Sequence, residues 1–258
     1  MYIKIIIFSL WLFLSLQFAL IGAAEDKTGP YKGNAELAYT PSDAISPPVN
    51  PENPDDPVEP INPDDTKPNK GTGGNLSIDF ASSFDFGMNE ISNKNQIYFA
   101  QAQRYSNSSL VTPNFIQITD NRGTLKGWTL KVYEEKQFKT RKSSRYEELK
   151  GASLSFLKAT SVTNGDSKHP KSYEVLDLTP GVETMVAQAE RGEGAGTWII
   201  RWGGKEDLFK KKLFAGKEKL EKYFSSSVSL YVPGITPKDA ADYRTKLTWI
   251  LSELPDNQ

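Results

Sequence analysis

From residue 76 onward, apolar and polar side chains alternate with a period of two in one short stretch after another. In "LSIDF" the residues Leu76, Ile78 and Phe80 fall on one face, and "FDFG" repeats the pattern with Phe84 and Phe86 before a turn at Gly87. The same alternation marks "QIYFAQAQ", "NFIQITD", "GASLSFLKAT", "SYEVLDLT", "GTWIIRW", "SSVSLYV" and the closing "YRTKLTWILSEL". Turn-rich pieces separate these strands, among them "TNGDS", where Asn164-Gly165 is a hairpin-type signal. Short strands broken by glycine, asparagine and proline predict an all-β body, a β-sandwich or an irregular barrel. Two stretches have the composition of short helices. They are "GVETMVAQAE" after Pro180, and "KEDLFKKKLFAGKEKLEKYF", which places Leu208, Leu213, Leu220 and Phe224 in the most basic part of the chain.

The first residues follow another rule. In "MYIKIIIFSLWLFLSLQFALIGAAED" a single Lys4 precedes an apolar run from Ile5 to Ile21, and small residues follow before Glu25 and Asp26. That order predicts a secretory signal over residues 1–24, cut after Ala24, with a retained membrane anchor as the other reading of the same run. No later stretch approaches the roughly 20 apolar residues that cross a bilayer, so no stable span is expected once the signal is removed. Residues 25–258 then form one exported domain. Its first strand is expected in "AELAYTP", where Ala35, Leu37 and Tyr39 share a face. Next comes "PPVNPENPDDPVEPINPDD", with prolines at 48, 51, 54, 57, 60 and 63. Polyproline II has three residues per turn, so these prolines line one edge of a rod, and the acids between them repel and hydrate it. Residues 41–75 are therefore expected to be a disordered, acidic, proline-rich loop inserted after the first strand.

Charge and chemistry narrow the function. Residues 25–70 carry 10 acids against 4 bases, and residues 71–258 carry 22 acids against 26 bases. A mildly basic exported body suits an anionic wall or membrane surface and is too weakly basic to point to nucleic acid. The chain has no cysteine, which excludes disulfides and zinc-thiolate sites. His169 is the only histidine and sits in "SKHPK" without a second imidazole. Ser155 and Lys158 match a serine-x-x-lysine spacing on what reads as a strand. "GTGG" lacks the lysine of a phosphate loop, and no two acids stand out as a hydrolytic pair. No catalytic residue, metal site or cofactor is expected.

Two segments stand out instead. "KGWTLKVYEE" and "KLTWILSELP" each place a tryptophan two residues before a leucine on an extended chain. Trp128, Leu130 and Val132 share a face, as do Leu247, Trp249 and Leu251. Burying one tryptophan removes about 150–250 Å² of surface, worth roughly 4–6 kcal/mol at about 25 cal/mol per Å². The four motif residues Trp128, Leu130, Trp249 and Leu251 are thus candidates for the core, for a binding surface that stacks on sugars, or for both.

With these motifs in order, the chain resembles the WxL-domain surface proteins of low-GC Gram-positive bacteria. The resemblance covers nearly all of the exported part. It takes in "AELAYTP", the acidic proline tract, "LSIDFASSFDFG", "YFAQAQ", "VTPNFIQITDNRGTLKGWTLKV" with Asp120, Arg122 and Gly123 in its turn, "AGTWIIRWG", "SVSLYVPG" and "DYRTKLTWILSELP". It implies a non-enzymatic attachment module that binds peptidoglycan, or the anionic polymers associated with it, non-covalently at the cell wall. It also implies companion surface proteins. The alternative reading is a subunit of a surface complex that grips a membrane- or wall-anchored companion, with indirect wall association. The "KEDLFKKKLFAGKEKLEKYF" stretch is longer and more basic than the family's usual connection, and Ile250 stands where threonine is common.

Overall fold

The computed structural model describes residues 33–215 and 218–254. The expected signal segment lies outside them. No helix among the described residues is long and apolar enough to cross a membrane. The chain divides into two compact units, residues 1–39 and 40–258. In the first, the described residues 33–39 are exposed and form no strand, against the expectation for "AELAYTP". Alternation shows that a segment can be a strand but supplies no edge for it to pair with.

The second unit is built from strands β1 Val49–Asn50, β2 Asn53–Pro57, β3 Pro60–Ile61, β4 Leu76–Ala81, β5 Gln96–Gln101, β6 Gln103–Tyr105, β7 Val111–Thr112, β8 Phe115–Asp120, β9 Trp128–Glu134 and β10 Lys139–Thr140. The order continues with β11 Ser153–Phe156, β12 Ala159–Val162, β13 Lys171–Ser172, β14 Val175–Leu178, β15 Glu183–Ala189, β16 Gly196–Trp202, β17 Leu208–Ala215, β18 Glu218–Val232, β19 Tyr243–Arg244 and β20 Leu247–Glu253. The all-β class is as expected. The sandwich or barrel is not: the strands fall into six separate sheets, neither two facing layers nor one closed sheet. Two are four-stranded, β12-β16-β8-β4 and β13-β15-β9-β20, and a third runs β14-β11-β18-β17 with β5 also paired to β18. A three-stranded sheet, β3-β6-β7, and two strand pairs complete the set.

Neither expected helix exists. "GVETMVAQAE" is mostly β15, and the basic stretch is the β17–β18 hairpin, entered through a single 3-10 turn at Lys205–Asp207. In β15 a register shift between Met185 and Ala187 breaks the alternation, which is why the segment does not read as a strand.

The main core gathers Ile116, Ile118, Trp128, Leu130, Val132, Leu154, Phe156, Trp198, Ile200 and Trp202. A smaller cluster on the other side of β8 and β16 contains Phe80, Phe115 and Ile199, and Val58 closes it with Val49 packed alongside. Those two valines belong to the proline tract. Far from being a free rod, the tract lies against the β-body. The Gln117 side chain accepts from the Val49 amide at 2.9 Å and donates to the Pro47 carbonyl at 3.0 Å. Arg201 donates to the Pro51 carbonyl at 3.0 Å and pairs with Glu52 at 2.6 Å. Proline removes backbone donors, and here side chains of the body make up the polar contacts. The structure departs from the expected disordered insertion over residues 49–61, where β1, β2 and β3 form. Replacing Gln117 by alanine is expected to cost about 1–3 kcal/mol, the usual penalty for stranding buried polar groups. Limited proteolysis followed by mass mapping checks this, with new cuts appearing within residues 41–75 before anywhere else.

Candidate wall-binding surface

The two tryptophan segments lie side by side. β20 pairs antiparallel with β9, setting Trp249 opposite Val132, Leu251 opposite Leu130 and Glu253 opposite Trp128. Along β9 burial alternates, so Trp128, Leu130 and Val132 point inward, and the buried Glu134 follows them on the same face. Trp128 is fully buried, and its indole Nε1 donates to the Gly194 carbonyl at 3.0 Å. Trp249 is only half-buried; its ring stacks on Trp202 at 5.7 Å and on Phe156 at 6.3 Å. Phe84 packs against both of those partners, 5.2 Å from Phe156 and edge-on to Trp202 at 6.0 Å.

The turn before the first motif is a polar clasp. Arg122 forms a bidentate pair with Asp120 at 2.9 and 2.7 Å, donates to the Gly127 carbonyl at 2.9 Å, and reaches Glu253 at 3.0 Å. One guanidinium thereby ties the end of β8, the entry to β9 and the end of β20. Only its fork of donors serves all three partners, so lysine is no substitute. Gly127 has φ of +83°, and a side chain there would lie 2.4 Å from the Ala189 carbonyl, so glycine alone fits before Trp128.

Behind this scaffold, toward solvent, lies a shallow groove of about 220 Å³ lined by His169, Lys171, Tyr173, Gln188, Glu190 and Glu193. Antiparallel pairing of β13 with β15 sets Lys171 beside Gln188, and the Tyr173 amide donates to the Val186 carbonyl at 2.8 Å, continuing the ladder. The Lys171 ammonium lies 4.9 Å from the centre of the Tyr173 ring. The edge of His169 meets the buried Trp198 ring at 4.8 Å. Lys168 pairs with Glu193 at 2.5 Å. The Lys168 hydrogen bond, and then the Glu190 amide, hold the Glu193 carboxyl below its ordinary range, so it stays ionised. Gly194, next in the chain after the groove residue Glu193, accepts from the Trp128 indole, and its amide in turn donates to the Lys168 carbonyl at 2.9 Å. A phenol ring, an imidazole, an amide and charges of both signs on a shallow face can bind a sugar or peptide polymer.

Other sequence candidates are dispersed. Ser155 accepts from the Asp177 amide, whereas Lys158 pairs with Asp207, so the two do not form a nucleophile and base. Among the described residues no group of three His, Asp or Glu side chains is placed to hold a metal ion. Sequence reasoning set His169 aside as a loop residue and overlooked Tyr173 and Gln188. The available signal was "KHPKSY", an aromatic residue among charges just before a strand.

Comparison with curated proteins and with solved structures gives no significant match. One family model does match, over residues 26–255, and its description is WxL domain surface cell wall-binding. That span includes both tryptophan segments, the Arg122 clasp, the seated proline tract and the groove. The chain belongs to the WxL domain family of surface proteins, whose modules bind the cell wall and are not enzymes.

Proposed function

We propose that this wall-binding module grips peptidoglycan directly and non-covalently through the groove formed by His169, Lys171, Tyr173, Gln188, Glu190 and Glu193. The supporting observation is that groove's composition, which sets an aromatic ring, an imidazole, an amide and charges of both signs on one shallow face. Peptidoglycan offers sugar rings for the Tyr173 face, and amides, carboxylates and ammonium groups on its peptides for Gln188, Lys171 and Glu190. A single contact of this kind is weak. A polymer repeats its sites, so a released module is recaptured nearby and retention exceeds the strength of one contact. Trp128, Leu130, Trp249 and Leu251 act in this reading by building the sheet that presents the groove.

The test is pelleting of the purified protein with stripped peptidoglycan sacculi, without any companion protein. Wild type is expected in the pellet, and Tyr173→Ala with Gln188→Ala is expected in the supernatant while its near-UV circular dichroism is unchanged. Raising salt should release part of the bound protein, because charged groups line the groove. Full retention of the double variant would move the wall contact elsewhere. A wild type that pellets only when companion surface proteins are added would instead favour the complex-subunit reading.

A further inference from the structure

We infer that Asn164 is a site of spontaneous deamidation, driven by the main-chain nitrogen of Gly165, and that the carboxylate it leaves loosens part of the seat of the proline tract. Asn164-Gly165 is exposed and does not close a hairpin, because β12 before it pairs with β16 and β13 after it pairs with β15. The two residues lie in an irregular loop outside any strand. Every other asparagine in the chain precedes a residue that bears a side chain. Gly165 bears none, so its nitrogen is unshielded toward the Asn164 carboxamide, and its backbone has the freedom to bring the two together.

The reaction needs only water. The Gly165 nitrogen gives up its proton to solvent and attacks Cγ of Asn164, forming a C–N bond and closing a cyclic imide. The carboxamide nitrogen takes up a proton and leaves as ammonia. Water then opens the ring at either carbonyl. One opening leaves an aspartate; the other leaves an isoaspartyl link, in which the main chain runs through the former side chain. In total, water is consumed and ammonia released. One contact opposes the attack: the Gly165 amide donates to Thr163 Oγ1 at 3.1 Å, and that hydroxyl donates to the Thr197 carbonyl at 2.8 Å. The first of these bonds has to open, which slows the step, but at this exposed position water replaces it.

The bond that the amide makes beforehand gives the change its effect. Asn164 Nδ2 donates to the Asp55 carboxylate at 2.9 Å. Among the described residues this is the one hydrogen bond that ties β2 to anything beyond the proline tract. Asn53 and Asp56 bond to each other, and the β2 backbone pairs with β1. After deamidation the side chain at position 164 has no donor, and two carboxylates face each other, with Asp56 and Asp166 nearby in sequence adding to the negative charge. The anchors at Gln117, Arg201 and Val58 are untouched, so the loosening is confined to β2.

The test follows the purified protein through prolonged incubation at neutral pH, with peptide mapping at intervals. Aspartyl and isoaspartyl forms of the peptide 159–168 are expected to accumulate before any other asparagine changes, with matching release of ammonia. Gly165→Ala is expected to slow this by about tenfold or more, because a Cβ crowds the attacking nitrogen. That Cβ would come no nearer than 3.6 Å to Thr163 Oγ1, so the loop accommodates it. Asn164→Asp installs the product charge from the start. An aspartate-directed protease is expected to cut it at Asp56 sooner than wild type, while its near-UV circular dichroism is unchanged. Adding Asp55→Asn to that variant exchanges donor and acceptor across the same contact and should return the cutting rate to that of wild type. An Asn164 that stays intact while other asparagines convert would overturn the inference. So would equal cutting of wild type and Asn164→Asp, or faster cutting that Asp55→Asn does not reverse.

Discussion

Replacing Trp128 by alanine is expected to lower the unfolding free energy by about 3–5 kcal/mol, the range for truncating a buried tryptophan in a packed core. Trp128 is fully buried among Leu130, Val132 and the residues of β15, and its indole bonds to the Gly194 carbonyl. The informative companion is Trp128→Phe. It keeps most of the ring packing but leaves the Gly194 carbonyl without its donor, for an expected loss of about 1–3 kcal/mol. Because Gly194 directly follows the groove residue Glu193 and its amide bonds to the Lys168 carbonyl, Trp128→Phe should also weaken pelleting with sacculi in protein that is still folded. By contrast, Trp249→Phe keeps an aromatic face against Trp202 and Phe156 and should cost less than Trp128→Phe, since Trp249 is half-exposed at the sheet edge. Denaturant melts of the variants together with pelleting measure both effects. Equal losses at the two tryptophans would show that the first has no special tie to the groove.

Much of the β-body can be read from its alternation, and the failures have physical causes. Trp128, Leu130 and Val132 share one face because a strand's side chains alternate, and burial along β9 makes that face the inward one. The adjacency of the two tryptophan segments and the register that puts Leu251 opposite Leu130 come from pairing, which no local pattern encodes. In "GVETMVAQAE" the bulge at Met185 and Ala187 hides the period of two. The basic stretch has widely spaced leucines that fit a helix face as well as a hairpin. The proline tract was misread because its composition is that of a solvated rod. Two valines nine residues apart, Val49 and Val58, are enough to seat it once Gln117 and Arg201 supply hydrogen bonds from 68 or more positions further along the chain. The groove is hidden for the same reason. Lys171 and Gln188 meet because two strands pair, and the motif that identifies the family lies behind the groove rather than in it.

Glu134 should make the protein less stable as the solution turns from acid to neutral. It follows Trp128, Leu130 and Val132 on the inward face of β9, is fully buried, and neither carboxyl oxygen has a hydrogen-bond partner. Burial pushes its carboxyl up from 4.5 to about 7, with the nearby Thr245 hydroxyl opposing the shift. Below about pH 4.5 the group is protonated in both the folded and the unfolded chain and contributes no difference. Between that pH and about 7 the unfolded chain gives up the proton while the folded chain keeps it, so stability falls as pH rises and levels off above about 7. The loss attributable to this residue is about 3 kcal/mol. Glu134→Gln keeps the shape and removes the charge. It is expected to match wild type near pH 4 and to be more stable by about 3 kcal/mol near pH 8. Thermal melts of both proteins across that range decide the matter: parallel curves would mean that Glu134 is ionised in the fold and has a partner, whereas curves that separate only above pH 4.5 identify an unpaired acid that the sheet keeps neutral.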